Sequence, residues 1–195
     1  VSSLSRLNPQ PDDRVAFLQG FLRHPREVGS VVPSSRFLER RITRAARADG
    51  ARLVVELGPG TGGTTRALLR AMNPQSRLLA VEINEHFVKV LQRMNDSRLV
   101  VQRGSAAELR EVLDAHRMHA PDAIVSGIPF STMPRGVGRE ILRSVHEVLE
   151  PGGVFVAYQV RDRVESLGRE VFGRPSVQKE LLNVPPMRVY RWEKS

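Results

Sequence analysis

Beyond residue 50 the chain alternates short apolar runs with longer stretches in which apolar side chains recur every three or four positions. The runs near 52–57, 77–82, 98–102, 121–126 and 153–159 have the length and composition of strands buried on both faces. The amphipathic stretches 63–72, 85–94, 105–116, 136–149 and 162–171 between them predict helices. Repeated βα order predicts a parallel sheet covered by helices. The end of the chain breaks this order: Val177 to Val184 and Met187 to Trp192 read as two strands joined across Pro185-Pro186, an antiparallel hairpin at a sheet edge. The expected fold is α/β, mostly parallel, with seven strands.

The first 50 residues follow a different pattern. Residues 1–11 lack periodicity and contain two prolines, as a tail would. From Asp12 to Leu22, aspartates suited to capping precede Val15, Phe17, Leu18, Phe21 and Leu22, whose spacing puts large apolar groups on one helical face. A turn-forming loop, Val28 to Ser35, leads into a basic helix from about Arg36 to Ala48 that Asp49-Gly50 ends. The chain thus divides into an N-terminal helical extension, residues 1–50, and an α/β domain, residues 51–195.

Composition narrows the function classes. The sequence of 195 residues suits one domain with an attachment, and no run approaches the roughly 20 apolar residues of a membrane-spanning helix. It contains no cysteine, which excludes disulfides and thiolate chemistry, and no apolar leader opens it. A cytoplasmic protein is the expectation. The formal charge of +9 calls for an anionic partner, nucleic acid or lipid surface, unless the arginine excess reflects genome composition alone. The excess is densest in residues 1–50, where nine basic residues face five acidic ones.

Candidate chemistry begins at Val54-Val55-Glu56-Leu57-Gly58-Pro59-Gly60-Thr61-Gly62, a strand running into a glycine-rich turn and a helix. Gly58, Gly60 and Gly62 permit a sharp bend and close approach of a ligand, and free N–H groups at the helix start favour an anionic group. Alone, this is also how a plain strand-to-helix turn looks. Glu82, ending Leu78-Leu79-Ala80-Val81-Glu82, lies 20 residues beyond Gly62, where doubly wound folds place the acid that accepts ribose hydroxyls. Glu56 stands in an otherwise apolar strand, where a carboxylate is costly without a donor or cation.

Together these residues resemble the class I S-adenosylmethionine-dependent methyltransferases, with their Rossmann-like seven-stranded sheet. The resemblance implies S-adenosylmethionine as cofactor and S-adenosylhomocysteine as product. It puts cofactor contacts at Glu56, Gly58, Gly60, Thr61 and Gly62, ribose contacts at Glu82 and adenine packing at Ile83. Ser105 and Ala106 fall where the family meets the adenine edge, with Ser105 replacing the usual aspartate. Ser126-Gly127-Ile128-Pro129-Phe130 is similar to the Asn-x-Pro-aromatic motif of base-amine methyltransferases, but Gly127 replaces the residue that would hold the base. Nucleic acid is therefore not the expected substrate.

Three further segments, Pro25 to Ser35, Val125 to Pro134 and Leu182 to Tyr190, resemble the soluble bacterial phosphatidylethanolamine N-methyltransferases. That resemblance implies methylation of phosphatidylethanolamine to phosphatidylcholine by a peripheral enzyme on the inner face of the cell membrane. Ornithine lipid or a nucleic-acid base amine are the alternative acceptors. In this reading Gly127, Ile128, Pro129 and Tyr158 are the catalytic residues, and Ser35 and Ser126 complete the cofactor site. Phe130, Arg161 and His24 meet the substrate, with core packing the competing role for Phe130 and Tyr158. The helix from Asp12 to Leu22 would contact an anionic membrane surface. None of the five histidines forms a metal-binding pair, so no metal is expected.

Overall fold

The computed structural model describes residues 35–195. The expected helix over 12–22, His24 and most of the loop before Ser35 lie outside these residues. Helix α1 (Arg36–Ala45) begins at Ser35, whose hydroxyl accepts the Leu38 N–H at 3.2 Å. Strands and helices then alternate as β1 (Leu53–Leu57), α2 (Gly63–Ala71), β2 (Arg77–Glu82), α3 (Glu85–Gln92), β3 (Leu99–Arg103), α4 (Leu109–Ala115) and β4 (Ala123–Ser126). A short 3-10 turn (Phe130–Thr132) precedes α5 (Arg135–Val148), β5 (Val154–Gln159), α6 (Arg163–Phe172), β6 (Ser176–Glu180) and β7 (Met187–Glu193).

The seven strands form one sheet in the order β3-β2-β1-β4-β5-β7-β6. The first five are parallel, and β7 runs antiparallel to both β5 and β6. Successive strand side chains point to opposite faces, so each parallel strand feeds two cores. Leu53, Val55 and Leu57 join Phe155, Ile141 and Leu167 under α4, α5 and α6. Val54, Val125, Val154 and Val156 join Leu38, Ile42 and Leu68 under α1 and α2. The segment after Ser35 is therefore packed into the sheet's own core. Glu56 and Tyr158 alternate onto this second face.

Three boundaries differ from the sequence expectation by three residues or more. Helix α4 starts at Leu109 instead of 105, because the Ser105 hydroxyl and carbonyl accept the Ala107 and Glu108 N–H groups in a separate turn. Helix α1 ends before 48, in a turn where Arg47 adopts φ 49°. Strand β6 stops at Glu180 instead of Val184, because the Glu180 carboxylate takes the Leu182 N–H at 2.9 Å and Asn183 folds inward. Among the described residues no helix is long and apolar enough to cross a membrane, and no three His, Asp or Glu side chains gather to hold a metal.

Candidate active site

Strand order reverses between β1 and β4, and ligands of doubly wound sheets bind beyond the carboxyl ends of the strands flanking that point. The glycine turn lies there. Gly58, Gly60 and Gly62 have φ of 66°, 56° and 80°, a region costly for any residue with a side chain. Gly62 starts α2, and a Cβ there would run into Met94. A Cβ at Gly60 would meet nothing within 4 Å among the described residues, which leave the backbone of the turn open to a ligand. Thr61 beside it is exposed.

Glu82 braces this turn. Its carboxylate accepts the Gly60 N–H at 3.0 Å and the Asn84 N–H at 2.8 Å. Burial raises its pKa above the ordinary carboxylate value, against the lowering effect of those N–H groups. Each carboxylate oxygen keeps a lone pair for a further donor. Ile83 follows, half-buried at the same strand end, while Ser105 and Ala106 are buried after β3.

Glu56 is fully buried, one oxygen accepting the Thr65 hydroxyl at 2.6 Å and the other meeting no hydrogen-bond partner among the described residues. Burial, resisted by Thr65 and reinforced by the Glu82 charge, pushes its pKa up to about 8. An orphaned carboxylate oxygen at the edge of an open glycine turn is where a ligand cation would fit.

Across the switch point, β4 runs into Ser126 to Pro129. The Gly127 N–H donates to the Leu57 carbonyl at 2.9 Å, and the Ser126 hydroxyl accepts the Ile128 N–H at 3.3 Å. Gln159, buried at the end of β5, donates its amide to the Ile128 carbonyl at 2.8 Å and fixes this segment. A Cβ at Gly127 would meet the Tyr158 hydroxyl and lie 3.0 Å from the Gly58 carbonyl, so Tyr158 occupies the space a larger residue would need. The Thr64 hydroxyl donates to the Tyr158 oxygen at 3.2 Å. Burial, then the nearby Glu56 carboxylate, push the Tyr158 ionisation above the ordinary phenol value and keep it neutral.

The structure thus gathers Glu56, Gly58, Gly60, Glu82, Gly127 and Tyr158 at the carboxyl ends of neighbouring strands. The remaining candidates have different settings. Phe130 is fully buried in the α5–α6 core, where it packs and presents no surface. The Ser35 hydroxyl caps α1, and the Ser126 hydroxyl serves its own loop. Arg161 is exposed just beyond β5. Thr64, Thr65 and Gln159 are polar groups that pattern reading missed. Their signal is polar residues at buried positions in the first turn of α2 and at the end of an apolar strand.

A family model described as a methyltransferase domain matches residues 54–153, from β1 to the start of β5. Over 181 residues the chain is 30% identical to the ornithine lipid N-methyltransferase of Singulisphaera acidiphila, covering 91% of this chain and 94% of that one. It is 33% identical over 147 residues to ribosomal RNA small subunit methyltransferase A of Phenylobacterium zucineum, 72% of this chain but 48% of that one. The chain spans about half the length of that second relative. Among solved structures, an O-methyltransferase from Bacillus cereus in complex with S-adenosylhomocysteine superposes with a TM-score of 0.67 at 15% identity. That superposition covers 96% of this chain and 93% of that one.

Proposed function

The chain belongs to the methyltransferase-domain family and uses S-adenosylmethionine, and from that premise we propose that it methylates the amine of a membrane amino-lipid, ornithine lipid above all. The observation that carries this reading is the near-full-length likeness to an ornithine lipid N-methyltransferase. It favours ornithine lipid over the phosphatidylethanolamine expected from sequence segments. Gly127 argues the same way against a nucleobase acceptor. The Tyr158 hydroxyl fills the place where a base-holding side chain would stand.

Glu56 would hold the cofactor's ammonium with its orphaned oxygen, the Gly58–Gly62 turn its methionine moiety, and Glu82 its ribose hydroxyls. Ile83, Ser105 and Ala106 would line the adenine. Bound S-adenosylmethionine supplies a methyl group on a positive sulfonium. An aliphatic amine has a pKa near ~10 and attacks only when neutral. The Ile128–Pro129 segment and the Tyr158 ring exclude water there, which favours the neutral amine. Tyr158, kept as a phenol and already accepting from Thr64, has a lone pair left to accept an amine N–H and so orient the nitrogen lone pair toward the methyl group. The acceptor is then placed by positioning, without a strong base. Arg161, beyond β5, is the group for an acidic portion of the lipid.

Purified protein with radiolabelled cofactor is expected to label ornithine lipid in mixed vesicles more than phosphatidylethanolamine, and total RNA not at all. Label confined to RNA overturns the lipid reading. Glu82→Ala is expected to weaken cofactor binding by about 1–3 kcal/mol, the worth of charge-assisted hydrogen bonds. Unchanged affinity in calorimetry removes Glu82 from the ribose.

A further inference from the structure

Among the described residues six large apolar side chains are exposed: Phe37, Val160, Val177, Leu181, Leu182 and Val184. They belong to α1 or to the β5-β7-β6 side of the sheet. Strand β6 runs parallel to β5, because each is antiparallel to β7. Its outgoing loop, residues 181–186, therefore rises at the same end of the sheet as Val160 and the active site. The Ser35 N–H donates to Asn183 Oδ1 at 2.9 Å, which ties the start of α1 to this loop. Arg188 donates to the Val160 carbonyl at 3.0 Å, which ties the end of β5 to the start of β7.

The loop is built inside out. Asn183 is 3% exposed and donates to the Pro185 carbonyl at 2.9 Å, and the Leu182 N–H is held by Glu180. The Asn183 side chain and the Leu182 N–H are thus turned inward and satisfied. Leu181, Leu182 and Val184 point out at 70%, 64% and 80% exposure. Surface loops ordinarily present polar side chains, and an exposed apolar cluster marks an interaction site.

Beside it, a groove of about 590 Å³ between α1 and the β6–β7 edge is lined by Phe37, Arg40, Arg41, Arg44 and Arg191, with Glu180 as its acid. Arg41 is held by Glu180 and Gln178, each at 3.0 Å. Arg40 and Arg44 have no carboxylate partner among the described residues and leave the groove with unneutralised positive charge.

Resting on the lipid reading above, we infer that this border is a membrane-docking face. The 181–184 loop enters the boundary between headgroups and acyl chains, and Arg40 and Arg44 meet anionic headgroups. The charge complements an anionic bilayer. The apolar groups are aliphatic apart from Phe37, which suits acyl chains and not the aromatic stacking by which proteins hold single-stranded RNA. Docking by this border turns the carboxyl ends of the strands, and with them Tyr158, toward the lipid headgroups. These residues are other than the segment 12–22 that the sequence singled out for membrane contact.

The test is co-sedimentation of the full chain with vesicles of phosphatidylcholine alone or mixed with phosphatidylglycerol. The expected result is binding that is tighter with phosphatidylglycerol. Leu181→Asp with Leu182→Asp should weaken it at least about tenfold on both vesicles. Arg40→Glu with Arg44→Glu should weaken it on the anionic vesicles alone. Binding of S-adenosylhomocysteine and the melting midpoint should stay at wild-type values in both variants. Wild-type vesicle binding by the leucine variant overturns the inference. So does a leucine variant that keeps vesicle binding but loses self-association, RNA retention or thermal stability, which would give the face to a second copy, to RNA or to residues 1–34. These vesicles contain no amino-lipid, so docking is judged separately from the acceptor. Vesicle binding without transfer to ornithine lipid would sink the acceptor reading alone.

Discussion

Glu56→Gln is expected to raise the melting midpoint of the cofactor-free protein at pH 7 and above, and to lower its affinity for S-adenosylmethionine at least about tenfold, the scale of a charge-assisted hydrogen bond. The stability effect follows from the direction of the pKa shift. Glu56 is neutral in the folded state up to about pH 8, against an ordinary value of 4.5, because of its burial. Below pH 4.5 both folded and unfolded chains carry the proton and the group is without effect. Between 4.5 and 8 only the folded chain keeps it, so stability falls by about 1.4 kcal/mol per pH unit. The loss levels off once the folded group ionises too. By pH 7 it amounts to about 3 kcal/mol, or roughly 6–12 °C for a chain of this size. Glutamine keeps the shape and an acceptor for Thr65 but never ionises. The two melting curves should converge near pH 4.5 and separate steadily to pH 8. Parallel curves would show that Glu56 is already ionised and partnered. A cofactor ammonium beside the orphaned oxygen reverses the shift, so wild-type binding at pH 7 should release about one proton. Calorimetry in buffers of differing ionisation enthalpy reads that release, and the glutamine variant should show none from this site.

How far the sequence disclosed these features depended on whether a residue's partner lay in its own segment. The five parallel strands and their helices were legible because each βα unit carries its own apolar period. The glycine turn was legible because positive φ selects glycine locally. Glu56 stood out as a charge inside an apolar run, and Glu82 as a charge at the end of one. Strand β6 was read four residues too long, since Leu181, Leu182 and Val184 continue the apolar pattern while pointing outward. What ends the strand is the inward turn of Asn183 toward Ser35, a contact across 148 positions that no local pattern records. Thr65, Gln159 and Thr64 escaped notice for the same reason: each is polar toward a partner on another element. Gly127 shows the converse. Its departure from the base-methylating motif was plain in the sequence, but its cause, the Tyr158 hydroxyl arriving from β5, is visible only in the packed sheet.

That cause makes Gly127→Asn the most damaging single change to the acceptor side. The new Cβ must displace the Tyr158 hydroxyl, and it lies 3.0 Å from both the Gly58 carbonyl and Tyr158 Cζ. Overpacking of this kind costs about 1–3 kcal/mol. The two backbone segments have little freedom to yield, since the Gly127 N–H is bonded to β1 and the Gly58 N–H to the Val81 carbonyl. Displacement of the hydroxyl also breaks its contact with Thr64, so methyl transfer should fall at least about a hundredfold, as for angstrom-scale misplacement of a reacting group. Tyr158→Phe alone leaves the ring on the core and should retain stability, with the loss in kcat and not in cofactor affinity. Combining the two changes separates packing from chemistry. Phenylalanine removes the oxygen that the asparagine Cβ would strike, so the double variant should melt above Gly127→Asn while staying as inactive as Tyr158→Phe or more so. The coupling should be about 0.5–3 kcal/mol, the range for residues in contact. Simple additivity in stability would mean that Tyr158 does not exclude the larger residue, and the argument from Gly127 against a base acceptor would fall with it.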